Sequence, residues 1–565
     1  MKHTTFWHKC AIFIALLCVA TPLMAINKCE VRAVWLTTIG GLDWPHSYAQ
    51  SSHSIEKQKA ELVEMLDRLK LANINTILLQ TRVRATTIFP STIEPWDGCM
   101  SGTPGRSPGY DPLAFAIEEC HKRGMELHAW VVCIPIGKWN NYGCRLLRKQ
   151  RPDLVKKIGD EGFLNPEKPA TADYIARLCG EITRKYDIDG IHLDYIRYPE
   201  TWQGKIDTRR GREHITRIVE RVAEKVKAQK PWVKMSCSPV GKHDDLTRYS
   251  SRGWNARTKV CQDAQAWLAR GLMDQLYPMM YFQGNQFYPF AIDWNENNFG
   301  KIIAPGLGIY FLSPKEKDWD LEVVSRQLHF LSEQGMGHAF FRCKFLLDNV
   351  KGLYDTVKDE INKYPSLIPP MSVSTRHAEA VKTPSKPNNL TVSSVNGIDR
   401  LTWDDEKAFP QTNGDYHLYN VYASESYPVD IENPKNLMAA RQRACSMEIP
   451  ASPSGTKRHY AVTSTDRYGR EGIAATTPAP HSKGIFEHQN LLWCNGEKLL
   501  LPNKDDITDM EYVAIESVAG NILATRLYST SEIDISRIPE GFYVVRTLNR
   551  RGSSHRIGFF IIKRG

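Results

Sequence analysis

From about residue 30 to residue 362 the chain repeats one alternation: a short apolar run, then a longer stretch with apolar residues every three or four positions. The short runs predict strands at Val31–Thr38, Thr76–Arg82, Glu126–Val132, Gly190–Asp194, Val233–Ser238, Gln275–Tyr281, Ile302–Gly308 and His338–Arg342. The periodic stretches predict helices over Ile55–Leu71, Pro112–Arg123, Ala170–Tyr186, Arg210–Ala228, Val260–Arg270, Leu321–Glu333 and Phe345–Lys363. The segment between the sixth and seventh strands shows the least helical period. Eight strands alternating with helices over more than 300 residues predict a (β/α)8 barrel at 26–364. A doubly wound open sheet is the competing arrangement, but no glycine-rich phosphate loop follows the first strand.

Beyond Tyr364 the pattern changes. Residues 365–385 are rich in Pro, Ser and Thr without periodicity and read as a linker. From 386 to 480 the pattern is all-β, in segments such as PNNLTV, DRLTWDD, YHLYNVYAS and RHYAVTSTDRYGREG. These resemble a fibronectin type III module with Trp403 in its core. Residues 481–565 carry further short strands and resemble, loosely, the small β-sandwich tails of exported bacterial proteins. At the other end, Lys2 and Lys9 precede an apolar run of ten, Ala11–Ala20, and small residues close the segment at Ala25. That order predicts a signal peptide over 1–25, too short to span a bilayer. The expected location is secreted or periplasmic, with cell-surface association open, and no integral membrane segment is expected.

Composition changes the picture little. A length of 565 residues implies several domains. The net charge of +10 falls to +8 without Lys2 and Lys9. That is compatible with anionic glycans and too diffuse to argue for nucleic acid. Of 13 cysteines, Cys10 and Cys18 lie in the predicted signal. The rest show no CxxC pair and no zinc spacing, so most are expected as buried free thiols and no metal site is expected.

Candidate chemistry follows from strand parity, because barrel enzymes place their reactive groups where strands end on the C-terminal face. In Ile191-His192-Leu193-Asp194, the apolar pair suits the helices, so His192 and Asp194 should point inward, with Asp194 nearer the mouth. The same parity turns Gln80 with Arg82, His128 with Trp130, and Tyr277 with Tyr281 inward. Carboxylate, guanidinium and aromatic groups together suit a hydroxyl-rich ligand with flat apolar faces, which describes a sugar. The predicted loops repeat that composition with Trp44, Trp96, Trp139, Trp202 and Trp254.

The motifs VRAVWLTT, LLQTRVRATTIFPSTIEPWDG, SPGYDPLAFAIEECHKRGMELHAWV, GFLNPEKP, YDIDGIHLDYIRYP and DQLYPMMYF occur in this order. Together they resemble the glycosyl hydrolase-like 10 family of bacterial proteins over essentially the whole barrel. The resemblance implies hydrolysis of glycosidic bonds in bacterial glycans, for some members the peptide-stripped strands of peptidoglycan. It also implies a pocket built from Gln80, Arg82, His128, Asn165, His192, Asp194 and Tyr281. This chain departs from a common family form, GIHFDDYFYP, in carrying Tyr195 where a second Asp would stand; by parity Tyr195 faces away from Asp194.

Glycoside hydrolysis needs two carboxyl groups. Asp194 is the first, expected as nucleophile or charge stabiliser and kept ionised by Arg82. The fifth strand ends without a Glu, so the second is sought in loops, in the order Glu94, Asp97, Asp244, with Asp245 also considered. Trp130, Arg197, Tyr277 and Tyr281 join the predicted substrate-binding set, and His192 is expected to brace Asp194. No organic cofactor is needed for such chemistry. A non-catalytic glycan-binding protein on a degenerate barrel, and a surface scaffold using the fibronectin-like module, are the alternatives. The oligomeric state is open.

Overall fold

The computed structural model describes residues 27–202, 206–372, 383–411, 414–452, 458–477, 492, 494–501, 511–517, 521–527, 532–549 and 554–563. The predicted signal peptide and the middle of the predicted linker lie outside them. All eight predicted barrel strands are present: β1 (Arg32–Leu36), β2 (Thr76–Arg82), β3 (Glu126–Val132), β4 (Gly190–Asp194), β5 (Lys234–Cys237), β6 (Gln275–Leu276), β7 (Ile302–Ile303, resuming at Gly306–Leu307) and β8 (His338–Phe340). Each pairs in parallel with the next, and β8 returns to β1 with His338 opposite Arg32. Strand β7 closes the ring. Its first half pairs with β6, Ile302 opposite Gln275, and its second half with β8, Gly306 opposite Ala339. The ring is a (β/α)8 barrel.

The connecting helices include α1 (Ser52–Leu71), α2 (Pro112–Lys122), α3 (Pro169–Lys185), α4 (Thr208–Lys227), α5 (Ala264–Ala269), α6 (Tyr288–Glu296), α7 (Leu321–Glu333) and α8 (Cys343–Leu347). Helix α6 fills the gap between the sixth and seventh strands. Its nine residues bury Phe290, Ala291 and Trp294, too few turns for the period to stand out. The helix predicted over Phe345–Lys363 is broken instead, because Asn349, Lys351 and Gly352 adopt φ of +51, +55 and +81. Alternation along the strands separates two apolar layers. Ile77, Leu79, Leu127, Ile191 and Leu193 pack outward against the helices. Trp35, Leu78, Trp130, Tyr277, Ala304 and Ala339 fill the barrel.

Residues 388–477 form a β-sandwich of a three-stranded and a four-stranded antiparallel sheet. Leu401, Trp403, Tyr419, Val421, Ile449, Tyr460 and Val462 lie between the sheets. This architecture fits the fibronectin resemblance, with Trp403 in the core as expected. The sandwich belongs to one compact unit with the barrel, and it docks on the barrel's N-terminal end. There Arg441, at φ +57, inserts between two buried carboxylates: Nη2 lies 2.7 Å from Asp189 and Nη1 3.2 Å from Glu126. Glu126 also takes Lys234 at 2.7 Å, and Asp189 takes His121 at 2.7 Å. Gly124, at φ +70, permits this approach, because a Cβ there would run into the Ala440 carbonyl oxygen. Residues 478–565 are a separate unit, with a four-stranded sheet and a core of Leu499, Val513, Ile515, Ile533, Val545 and Phe560.

The described cysteines are all unpaired, most of them buried, as expected. Among the described residues no helix is long and apolar enough to cross a membrane.

Candidate active site

Asp194 ends β4 at the C-terminal mouth of the barrel. Three donors hold its carboxylate. Ser238 Oγ and the Tyr195 N–H reach Oδ1 at 2.8 Å each, and Trp130 Nε1 reaches Oδ2 at 3.1 Å. Burial pushes the carboxyl above its ordinary value, and these hydrogen bonds, with the more distant Arg197 charge, offset only part of that push. No cation touches it among the described residues. A wall of aromatic rings stands near: Tyr281 stacks on Phe341 with centroids 5.4 Å apart and meets Tyr310 edge-on at 5.9 Å. Burial and the neighbouring Asp194 drive the Tyr281 phenol well above its usual range. Asp194, Trp130 and Tyr281 thus come together as parity and resemblance expected.

Other expected pocket residues are elsewhere. A β-bulge between Gln80 and Arg82 reverses the parity at the end of β2. Gln80 stays inside and accepts the Thr38 and Ile39 N–H groups at 3.0 and 2.9 Å, pinning the first loop. Arg82 turns out toward α3 and pairs with Glu94 through two bonds of 2.8 and 2.7 Å, with the Tyr174 hydroxyl donating to Glu94 at 2.9 Å. Both side chains are almost wholly buried. Glu94 is therefore an ion-pair partner rather than a proton donor, and Arg82 does not hold Asp194 ionised.

His128 lies level with Gly190, at the start of β4. Its Nε2 lies 3.0 Å from Glu126 and its Nδ1 3.2 Å from the Gln275 amide. His128 belongs to the barrel floor and is out of a ligand's reach. His192 is one layer higher but equally buried. Trp35 Nε1 donates to its Nε2 at 3.2 Å, leaving Nδ1–H for Ser236 at 3.0 Å. Burial, with His128 nearby, drives its pKa well down, so the ring is neutral. Its partners are Trp35 and Ser236, and it does not brace Asp194. Tyr277 is likewise core, taking the Gln275 amide at 3.1 Å and packing edge-on against Trp35 and His192. Asn165 accepts the Glu167 N–H at 3.0 Å, in the turn leading to α3.

Asp97 caps the short helix Gly98–Ser101, accepting the Cys99 N–H at 2.7 Å, and takes the Thr86 hydroxyl at 2.5 Å. It lines a cleft of about 720 Å³ among the first three βα-loops, with Tyr48, Arg84, Asn141 and Tyr142. Asp244 pairs with Arg257 at 2.8 Å, and Asp245 accepts the Gly253 N–H at 3.0 Å. Of the loop tryptophans, Trp44 and Trp202 are buried and Trp254 is exposed.

Arg197 is buried, stacked 3.9 Å from the Tyr195 ring, and paired with Glu200 at 2.7 Å. Tyr195 itself takes φ +52, and its ring turns back to pack on the inner-barrel cluster. The expectation that it faces away fails because the strand geometry ends at Asp194. Sequence reasoning also missed Ser238, Glu200, Tyr310 and Phe341. Three of them had a signal: Ser238 closes a predicted strand, Phe341 is the last residue but one of another, and Glu200 is six residues beyond Asp194.

A closed (β/α)8 barrel with a half-buried, cation-free carboxyl where its fourth strand ends defines a barrel protein whose chemistry sits at the C-terminal face. The family model described as glycosyl hydrolase-like 10 matches residues 30–209 and 203–310, and the chain belongs to that family. A Bacillus subtilis protein named glycosyl hydrolase YngK is 27% identical over 508 residues, covering 82% of this chain and 96% of its own length. Glycosyl hydrolase DigH of Escherichia coli K12 is 29% identical over 290 residues, 45% of this chain and 65% of its own. Among solved structures, the catalytic domain of a β-amylase from Paenibacillus polymyxa aligns over 60% of this chain and 99% of its own. Its identity is 10% and its TM-score 0.40, too distant to bear on the site.

Proposed function

We propose that the barrel is a glycoside hydrolase with Asp194 as its proton donor. The observation that carries this reading is the state of Asp194: a carboxyl at the barrel mouth, oriented by three donors, paired with no cation among the described residues, and pushed toward its protonated form. A proton donor to a leaving glycosidic oxygen needs that state. The aromatic wall of Tyr281, Phe341 and Tyr310 suits the C–H face of a sugar ring. The cleft among the first three βα-loops gives further units of a chain a place to lie. Family membership supports the reaction class. The substrate is read as the glycan strands of peptidoglycan or a related polysaccharide, and the protein as exported, acting without an organic cofactor.

The test is reducing-end release from peptidoglycan, peptide-free glycan strands, and plant and host polysaccharides. Wild type should cleave at least one, and Asp194→Asn should still bind it while losing most of the rate. Binding without turnover across the panel would establish a non-catalytic glycan receptor instead.

A further inference from the structure

Asp194 alone cannot complete a hydrolysis, because a second group must activate water or attack the sugar. The carboxyls that sequence reasoning ranked are engaged elsewhere: Glu94 with Arg82, Asp97 in a helix cap, Asp244 with Arg257. Glu200 is tied directly to Asp194 through one residue. The Tyr195 N–H donates to Asp194 Oδ1 at 2.8 Å, and the Tyr195 hydroxyl donates to Glu200 Oε2 at 2.9 Å. Its left-handed backbone, φ +52, is what lets a single residue reach both. Arg197 locks the far end, its guanidinium stacked on the Tyr195 ring and its Nη2 on Glu200 Oε1. The Glu200 side chain keeps 45% exposure, so water has access to it.

We infer that Glu200 is the general base of an inverting pair with Asp194, and that Tyr195 is the positioning residue that sets their separation. This rests on the glycosidase reading above. In the step, the Glu200 carboxylate takes a proton from water as the water oxygen bonds to the anomeric carbon, opposite the leaving group. The bond from that carbon to the glycosidic oxygen breaks, and that oxygen takes the proton of Asp194. One water is consumed, and both carboxyls exchange protons with solvent before the next turnover. Inverting pairs stand about 6.5–9.5 Å apart to admit that water, and Tyr195 contacts both carboxyls, Asp194 through its N–H and Glu200 through its hydroxyl.

The surroundings agree. Asp194 is faced by Trp130 and Cys133 from the β3 side, Cys237 and Ser238 from the β5 side, Tyr281, and at longer range Arg197, and burial raises it. Glu200 is faced by Arg197 and Tyr195. Burial works to raise Glu200 too, but those hydrogen bonds outweigh it and hold the group below its ordinary value. Two carboxyls pushed in opposite directions are the arrangement of an acid and a base.

Peptide-free glycan strands are the probe, with reducing ends followed across pH and the first-formed anomer read by proton NMR. Glu200→Gln, an isosteric change at an exposed position, should lower kcat by at least about 10²-fold with KM little changed. Wild type should release the inverted anomer. Tyr195→Phe removes one donor to ionised Glu200, so the acid limb of the kcat/KM profile should move to higher pH while the alkaline limb stays; a purely structural residue would not move one limb alone. A Glu200→Gln protein with wild-type kcat, a retained anomer, or a glycosyl adduct trapped on Asp194 would each overturn the inference. In those cases an inactive Asp194→Asn leaves the glycosidase reading standing. If wild type binds the strands and releases no reducing ends, both fall.

Discussion

The two ends of this barrel both bury carboxylates, and they treat them in opposite ways. At the floor, Glu126 is surrounded by Lys234, Arg441 and His128, and Asp189 by His121, Arg441 and the Leu127 N–H. Burial works against both charges, but the cations overwhelm it: Glu126 is held down to about 2, and Asp189 well below its ordinary value. At the mouth, Asp194 has donors but, among the described residues, no cation in contact, and burial wins. A carboxylate that is both sealed from water and paired with cations holds elements together and meets no water with which to exchange a proton. One left unsaturated costs stability and is free to do chemistry. The Arg82–Glu94 pair shows that position on the barrel does not decide the matter. It lies at the C-terminal end yet is saturated, and so belongs with the floor.

The largest expected effect is at the mouth. Asp194→Asn should reduce turnover by about 10³-fold, about 4 kcal/mol of transition-state stabilisation. Its denaturant midpoint should equal or exceed that of wild type, because an uncompensated carboxylate has been removed. Loss of stability on that substitution would show that Asp194 is structural after all. At the floor the expectation inverts. Arg441→Met leaves Asp189 and Glu126 short of a cation and should destabilise the protein by about 3 kcal/mol, at the lower end for breaking a buried pair. The folded fraction should keep wild-type kcat. Urea unfolding and active-site-normalised rates measure both.

Acid sharpens the same contrast. Glu126, and Glu30 just before β1, where the Arg32 pair at 2.6 Å and His338 outweigh burial, have folded values of about 2 against an ordinary 4.5. Their contribution is therefore complete above about 4.5 and lost as the pH falls toward 2. Asp194 has the opposite sign. Its folded value is raised, so its ionisation subtracts stability as the pH rises through that value. Urea midpoints measured across acid pH should fall steeply for wild type, and Glu126→Gln should flatten part of that fall. An unchanged slope would remove Glu126 from the set that holds the barrel together.

Most of the barrel was legible in the sequence because each strand's alternation is a local property. Eight apolar runs with buried outer faces needed no knowledge of what lay across the ring, and Asp194 was identifiable from its own four-residue neighbourhood. What stayed hidden depends on contacts distant in sequence or on single backbone angles. The bulge at the end of β2 sends Arg82 outward, and nothing in TILLQTR announces it. The φ of Tyr195 turns a residue that parity placed outside into the link between two carboxyls. Arg441 arrives at the floor from more than 250 residues downstream of Asp189. Parity also names a face without naming a depth, so His128 and Tyr277 were placed in the pocket, whereas the register sets His128 below it and Tyr277 is sealed against Trp35 and His192.

That difference in depth leads to the smallest effect. Tyr277 and Tyr281 belong to one predicted strand and share one face, yet Tyr277 is fully buried edge-on against His192 and Trp35 while Tyr281 stands half-buried beside Asp194. The Tyr277 hydroxyl receives one bond, from Gln275, whose Oε1 already lacks a partner in the structure. Tyr277→Phe should therefore cost about 1 kcal/mol, the net worth of one buried hydrogen bond, with KM and kcat unchanged. Tyr281→Ala, which removes a ring of the mouth's aromatic wall, should raise KM instead and leave the denaturant midpoint nearly where it was. If Tyr277→Phe altered KM, ligand would have to reach the layer of His192, and the boundary between floor and mouth would lie one residue pair deeper than Asp194.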